Sequence, residues 1–227
     1  MPPSLQVEQI GPSRLTETDT TSLKPAVLAA ESPSPATIPE PQTVDDLVRR
    51  QAILHPGHRS VSYPLSGTTS FVDYTLQQLD VFAWRAAKHY EQWVPPRTTS
   101  AEKPTVVALL GPSDLEYLIT MLAMSKLGHS VLLLSTRITE QAIESLLACT
   151  GAQALVVDDK RLQVAERVQA KIAGLATLPI AARSVFEFAI DAHGDTHITR
   201  PLDPEVEREN MAFIIHSSGK LLRAFQS

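Results

Sequence analysis

The stretch "VVALLGPSDLEYLITMLAMSKLGHSVLLLS", residues 106–135, decides how the rest of the chain is read. It opens with an apolar run that does not alternate, which suits a strand covered on both faces. Gly111 and Pro112 break the run. Ser113 and Glu116 then stand at the spacing of a capping box, with Ser113 as the predicted N-cap of a helix over "DLEYLITMLAMSKL". Gly128 fits the C′ position that stops that helix. "SVLLLS" follows as a second buried strand. Strand, helix and strand in so short a span make one right-handed crossover, and a crossover implies parallel strands.

The alternation continues downstream. Thr139 is placed to cap "EQAIESLLACT" and Gly151 to end it. "QALVVDD" reads as a third strand and "KRLQVAERVQAKIAG" as a polar-faced helix. "LATLPI", "SVFEFAID" and "MAFIIHSS" read as further short strands joined by loops. Upstream, "TVDDLVRRQAILHPG" reads as a helix with Thr43 as N-cap and Asp46 in its first turn. "SVSYP" and "TSFVDY" alternate like two strands around the turn "LSGT". Thr75 and Gln78 fit a capping box opening a helix whose apolar stripe includes Leu76, Leu79, Phe82, Ala83, Ala86, Ala87 and Tyr90. The predicted fold class is α/β, a parallel-type sheet with packed helices.

Residues 1–41 depart from this pattern. They hold Pro2, Pro3, Pro12, Pro25, Pro33, Pro35, Pro39 and Pro41 among many Ser and Thr, a composition that buries little and predicts a disordered tail. "VPPRTTSAEKP", residues 94–104, reads as an exposed loop. Hydrophobic residues make up 43% of the chain, enough for a sizeable core. The net charge of −5 argues against nucleic acid as a partner, because such partners select a concentrated basic face. A single cysteine, Cys149, excludes an intramolecular disulfide and a multi-cysteine zinc site, and fits a reducing, cytoplasmic compartment. No basic n-region precedes an apolar core at the N-terminus, and no apolar stretch is long enough to span a bilayer, so no membrane partner is expected.

The chemistry-bearing candidates gather at "IIHSSGKLLRAFQS", residues 214–227. A P-loop needs G-x-x-x-x-G-K-[ST], but Ile214 occupies the first glycine position and Leu221 the hydroxyl position. A nucleophile elbow needs G-x-S-x-G, but Ile215 stands at its first glycine. His216 adjoins the loop and is read as a nucleotide contact or as a satisfied strand-end histidine. His193 and His197 stand four apart like zinc ligands on a helix, yet Gly194 and Thr196 between them favour an exposed turn. "GPSD" at 111–114 is read as a helix cap before it is read as an anion site. Cys149 is expected on an apolar helix face as a core thiol. Asp158 and Asp159 are expected to be solvated or to cap the next helix.

"MAFIIHSSG" resembles the strand and first loop residues of adenylate-forming enzymes, whose loop runs roughly [ST]-[SG]-G-[ST]-[ST]-G-x-P-K. Ser217, Ser218 and Gly219 match its first three positions, and Lys220 and "LLRAFQS" depart from the rest. The resemblance extends upstream through "TVDDLVRRQAILHPGHRSVSYP" and "FVDYTLQQLDVFAWRAAKHY". It is most specific over "VVALLGPSDLEYLITMLAMSKLGHSVLLLSTRITEQAIESLLACTGAQALVV", which is similar to adenylation domains of fungal nonribosomal-peptide-synthetase-like enzymes. It implies an incomplete N-terminal subdomain of that fold over residues 42–219, a tail over 1–41 and a divergent stretch over 220–227.

The resemblance also implies chemistry. Full-length relatives join ATP and a carboxylic acid, with Mg²⁺, into an acyl adenylate and pass the acyl group to the phosphopantetheine arm of a carrier domain. Ser217, Ser218, Gly219 and His216 are the implied residual ATP or AMP phosphate loop. The chain is expected to stop before the acid pocket, the hinge and the mobile lysine, to be catalytically incomplete, to bind ATP and Mg²⁺ weakly if at all, and to self-associate through its last strand. A non-catalytic nucleotide-binding or interaction module that keeps half the fold is the alternative.

Overall fold

The computed structural model describes residues 40–64, 69–190 and 202–216. Residues 1–39, residues 65–68 where a turn is expected, His193, His197 and everything from Ser217 onward lie outside the described residues. Helix α1 (Val44–Leu54) opens with the predicted Thr43 capping box, in which Thr43 Oγ1 accepts from Asp46 N and the Asp46 carboxylate accepts from Thr43 N. Strands β1 (Arg59–Pro64) and β2 (Phe71–Thr75) form an antiparallel hairpin. Helix α2 (Leu76–Tyr90) starts at the Thr75–Gln78 capping box.

Next come β3 (Val106–Leu110), α3 (Leu115–Lys126), β4 (Ser130–Leu134), α4 (Glu140–Thr150) and β5 (Ala154–Val157). A 3-10 turn over Asp159–Arg161 leads into α5 (Leu162–Gln169), shorter than the sequence suggests, and then β6 (Ala176–Pro179). The last elements are α6 (Arg183–Phe186), α7 (Pro204–Glu207) and β7 (Phe213–Ile215).

Five strands form one parallel sheet in the order β6-β5-β3-β4-β7. Alternation assigns each side chain to a face. Val107 and Leu109 of β3 pack with Leu79, Phe82 and Ala86 of α2 and Ile119 and Ala123 of α3. Ala108 and Leu110 pack on the other face with Ile143 and Leu147 of α4 and Val168 of α5. Both faces are covered, so β3 and β5 carry no polar residue. A buried charge node ties α1, α2 and α3 together: Lys126 Nζ lies 2.7 Å from Asp45 Oδ1 and 2.5 Å from Asp80 Oδ1.

Four expectations are corrected. The N-cap of α3 is Asp114, not Ser113, and its carboxylate accepts from Tyr117 N at 2.9 Å. Glu116 is therefore no longer three residues past the cap, and it accepts instead from Arg183 Nε at 2.9 Å. The segment "SVFEFAID" forms no strand: α6 covers its start, because Arg85 of α2 draws the carbonyls of Phe186, Phe188 and Ala189 onto its guanidinium. The loop at 94–104 is anchored, with Val94 and Arg97 buried. Cys149 is exposed, since α4 buries the Ile143–Leu147 edge and Cys149 falls outside it.

The cap correction has a measurable outcome. Asp114→Ala should cost about 1 kcal/mol in urea unfolding, and Ser113→Ala less than about 0.5 kcal/mol. Equal losses would return the cap to Ser113.

Candidate functional site

In open parallel sheets, ligands sit beyond the carboxyl ends of the strands, where successive connections leave towards opposite faces. Here the connection from β3 leads to α3 on one face and those from β4 and β5 lead to α4 and α5 on the other. The residues at that edge are Gly111–Asp114 after β3, Ser135–Thr139 after β4, Asp158–Arg161 after β5 and His216 after β7.

Gly111 is fixed by packing. A Cβ built there would stand 2.7 Å from Ile180 Cδ1, so the first turn after β3 has no room for a side chain unless Ile180 moves. Asp114 then caps α3. Burial pushes its carboxyl above the ordinary range, opposed by the hydrogen bond from Tyr117 N and assisted by the nearby Glu116 charge. Thr139 caps α4 as predicted, accepting from Ala142 N. Asp158 neither caps the following turn nor stands free in solvent, because Arg161 NH1 holds its carboxylate at 2.7 Å. His216 accepts the Ser135 amide proton on Nε2 at 3.0 Å, so that ring nitrogen is already used inside the protein.

The residues from Ser217 to Gly219 follow His216 directly in sequence and lie outside the described residues. The structure thus places one of the four sequence-derived site residues, at the carboxyl edge of the sheet.

A concavity of about 350 Å³ lies elsewhere. It is lined by Pro41, Thr43, Leu47, Gly128, Met211 and Ala212. Those residues precede β4 and β7 or belong to the start of α1, so the concavity opens at the amino ends of the strands, opposite His216. Beside it lies a buried pair that sequence reasoning did not find: Arg97 holds both carboxylate oxygens of Glu207 at 2.6 and 3.0 Å. Burial alone would raise the Glu207 carboxyl, but the Arg97 hydrogen bonds and charge outweigh it and hold the group below its ordinary value of 4.5.

The sequence profile of the AMP-binding enzyme family matches residues 51–219. The chain belongs to the AMP-binding enzyme family. The match takes in the whole parallel sheet, from the strand before Gly111 to the residues that follow His216. The chain is 24% identical over 172 residues to ascB, a non-canonical non-ribosomal peptide synthetase of Acremonium egyptiacum, covering 73% of this chain and 16% of that protein. It is 30% identical over 114 residues to a carboxylic acid reductase of Neurospora crassa, covering 50% of this chain and 11% of that protein. Among solved structures, the Mycobacterium tuberculosis fatty acyl CoA synthetase has the same fold over 78% of this chain and 33% of its own, with a TM-score of 0.56 and 18% identity. The chain therefore spans under a fifth of the length of these two curated relatives. No helix among its described residues is long and apolar enough to cross a membrane.

Proposed function

We propose that this chain is the N-terminal part of an adenylation domain, and that the protein it represents activates a carboxylic acid with ATP. In that reaction a carboxylate oxygen attacks the α-phosphorus, pyrophosphate leaves, and the acyl adenylate then passes its acyl group to a thiol, here the phosphopantetheine of a carrier domain. The observation that carries the reading is the family match over residues 51–219, whose last described residue, His216, stands at the carboxyl edge of the sheet. The similarity to a peptide synthetase and a carboxylic acid reductase supports a carrier-bound thioester as the destination.

The part assigned to this chain is phosphate binding. Serine hydroxyls and backbone amides of residues 217–219 would donate to the phosphate oxygens, where fixed dipoles offset developing charge. Among the described residues no group of three or more His, Cys, Asp or Glu is placed to hold a metal, and no step is assigned through Mg²⁺. The polypeptide of 227 residues taken alone is proposed to be catalytically incomplete, since only the first three loop positions carry the family pattern.

The test uses ATP, Mg²⁺, labelled pyrophosphate and a panel of aryl, keto and amino acids. The chain alone should show no acid-dependent exchange above a heat-killed sample, and Mg-ATP binding should weaken in Ser217→Ala and Ser218→Ala. Acid-dependent exchange would overturn the incompleteness. Mg-ATP binding that ignores both serines would overturn the phosphate loop.

A further inference from the structure

Residues 202–216 join the rest of the chain through a charge. Of these fifteen residues one is buried, and it is the carboxylate Glu207. Val206, Met211 and Ile215 are exposed, and Phe213 and Ile214 pack on the two faces of the sheet only part-buried. A segment ordinarily docks by burying apolar surface. This one puts its apolar side chains at the surface and its acid inside.

The buried carboxylate meets Arg97 on the loop ahead of β3. The other ties are polar as well. Asp203 N donates to Ser100 Oγ of the same loop at 2.6 Å. The Ser130 hydroxyl donates to the Met211 carbonyl at 2.5 Å, and Val131 N donates to the Ala212 carbonyl at 2.9 Å. Strand β7 then pairs with β4 over three residues, at the edge of the sheet. On release, water replaces these bonds and hydrates both buried charges, so undocking recovers much of what it breaks. Unfolding β3 and β5 instead exposes Val107, Leu109, Leu155 and Val156, all buried, and water returns nothing for them. The last segment is therefore less firmly held than the sheet it joins.

We propose that residues 202–216 form a strap that undocks from the folded body as one piece, with the Arg97–Glu207 pair as its clasp. The clasp lies at the amino ends of the strands and His216 at the carboxyl ends, so opening the first withdraws the second from the Ser135 amide. The concavity beside Gly128 loses its Met211 and Ala212 wall in the same step. This holds whatever acid or nucleotide the chain binds.

Amide hydrogen exchange of the 227-residue chain, read by NMR at urea concentrations below the unfolding transition and where closing outpaces exchange, separates strap from body. Ser130 and Val131 are adjacent in β4 and bond to opposite neighbours. Ser130 N donates to the Thr105 carbonyl beside β3 at 3.0 Å, and Val131 N donates to the strap. Gln153 N, which donates to the Val106 carbonyl at 3.0 Å, is a second body reporter. In the parent, Val131 should be protected at least about tenfold less than Ser130 and Gln153, with a weaker dependence on urea. Ile143→Val trims the body core and should lower the protection of Ser130 and Gln153 about two- to tenfold while leaving Val131 unmoved. Arg97→Ala should lower the protection of Val131 about a hundredfold or more, with the body amides still the slower pair. R97M/E207L should bring Val131 back to the parent's level, because an apolar pair leaves no charge unpaired in the closed form.

Equal protection of the three amides in the parent makes the segment part of the body and overturns the proposal. So does a Val131 that follows Ser130 and Gln153 in Ile143→Val. A folded Arg97→Ala chain whose Val131 stays within about twofold of the parent shows that the pair is no clasp and overturns it as well. If Arg97→Ala does not fold, the parent and Ile143→Val decide.

Discussion

Arg97→Ala should lower the unfolding free energy by about 3–5 kcal/mol, a large part of the 5–15 kcal/mol available to an ordinary domain. The side chains of Arg97 and Glu207 are 2% and 6% exposed. Arg97 also donates to the carbonyls of Glu102 and Gly128, so it ties the loop before β3 and the turn before β4 to α7. Removing the arginine leaves a buried carboxylate held by two neutral donors, Asn210 Nδ2 at 3.3 Å and the Ser100 hydroxyl. Replacing both partners with apolar residues, as in R97M/E207L, should recover most of the loss, because the damage comes from an uncompensated charge more than from missing attraction.

Acid gives an independent readout. The Glu207 carboxyl is held below its ordinary 4.5, so its contribution is present above that value and is lost as pH falls through the lower, folded one. In Arg97→Ala burial dominates and the carboxyl moves above the ordinary range, so that variant gains stability on acidification. The deficit measured by urea unfolding at neutral pH should therefore narrow below about pH 4. A deficit that stays constant with pH would show that the charge of Glu207 is not what the arginine neutralises.

Phe186→Ala should cost about 3–5 kcal/mol. Phe186 is fully buried, and its ring centroid lies 5.7 Å from that of Phe82 on α2. Phe188, two residues on, has its ring under the Arg85 guanidinium at 3.6 Å but is 55% exposed. Phe188→Ala should cost no more than about 1 kcal/mol. The contrast, read from paired urea titrations, separates the helix seen at α6 from the strand the sequence suggests. A strand would send both rings to the same face and make the two losses similar.

What the sequence made legible was local. Thr43 with Asp46, Thr75 with Gln78, Thr139, Gly128 and Gly151 are signals carried by neighbouring residues, and each stands in the structure where its spacing puts it. The buried strands were legible because a two-faced environment leaves no room for alternation. The failures were non-local. Ser113 and Asp114 are both good caps, and the Glu116 that would complete a box with Ser113 pairs instead with Arg183, which lies 67 residues away. Residues 184–190 carry a strand-like pattern, and Arg85, just over 100 residues upstream, takes their carbonyls. Arg97, Lys126 and Asp80 have no neighbour in sequence that signals the partners they are buried with. At the candidate site, the sequence pointed to His216 but not to the Ser135 amide that occupies it.

The position of β7 also sets a clock. It pairs with β4 across a separation of 81 residues, as the Ser135–His216 contact shows. A ribosome adds about 5–20 residues per second, so roughly 4–16 s pass between the emergence of the two partners. Through that interval the outer edge of β4 has no neighbour, and Val131 and Leu132, fully buried once the sheet is complete, stand next to an open row of backbone donors and acceptors. The nascent chain is most exposed to wrong pairing then, and a chaperone or a slower rate of synthesis would act on yield through those seconds more than through the stability of the finished sheet.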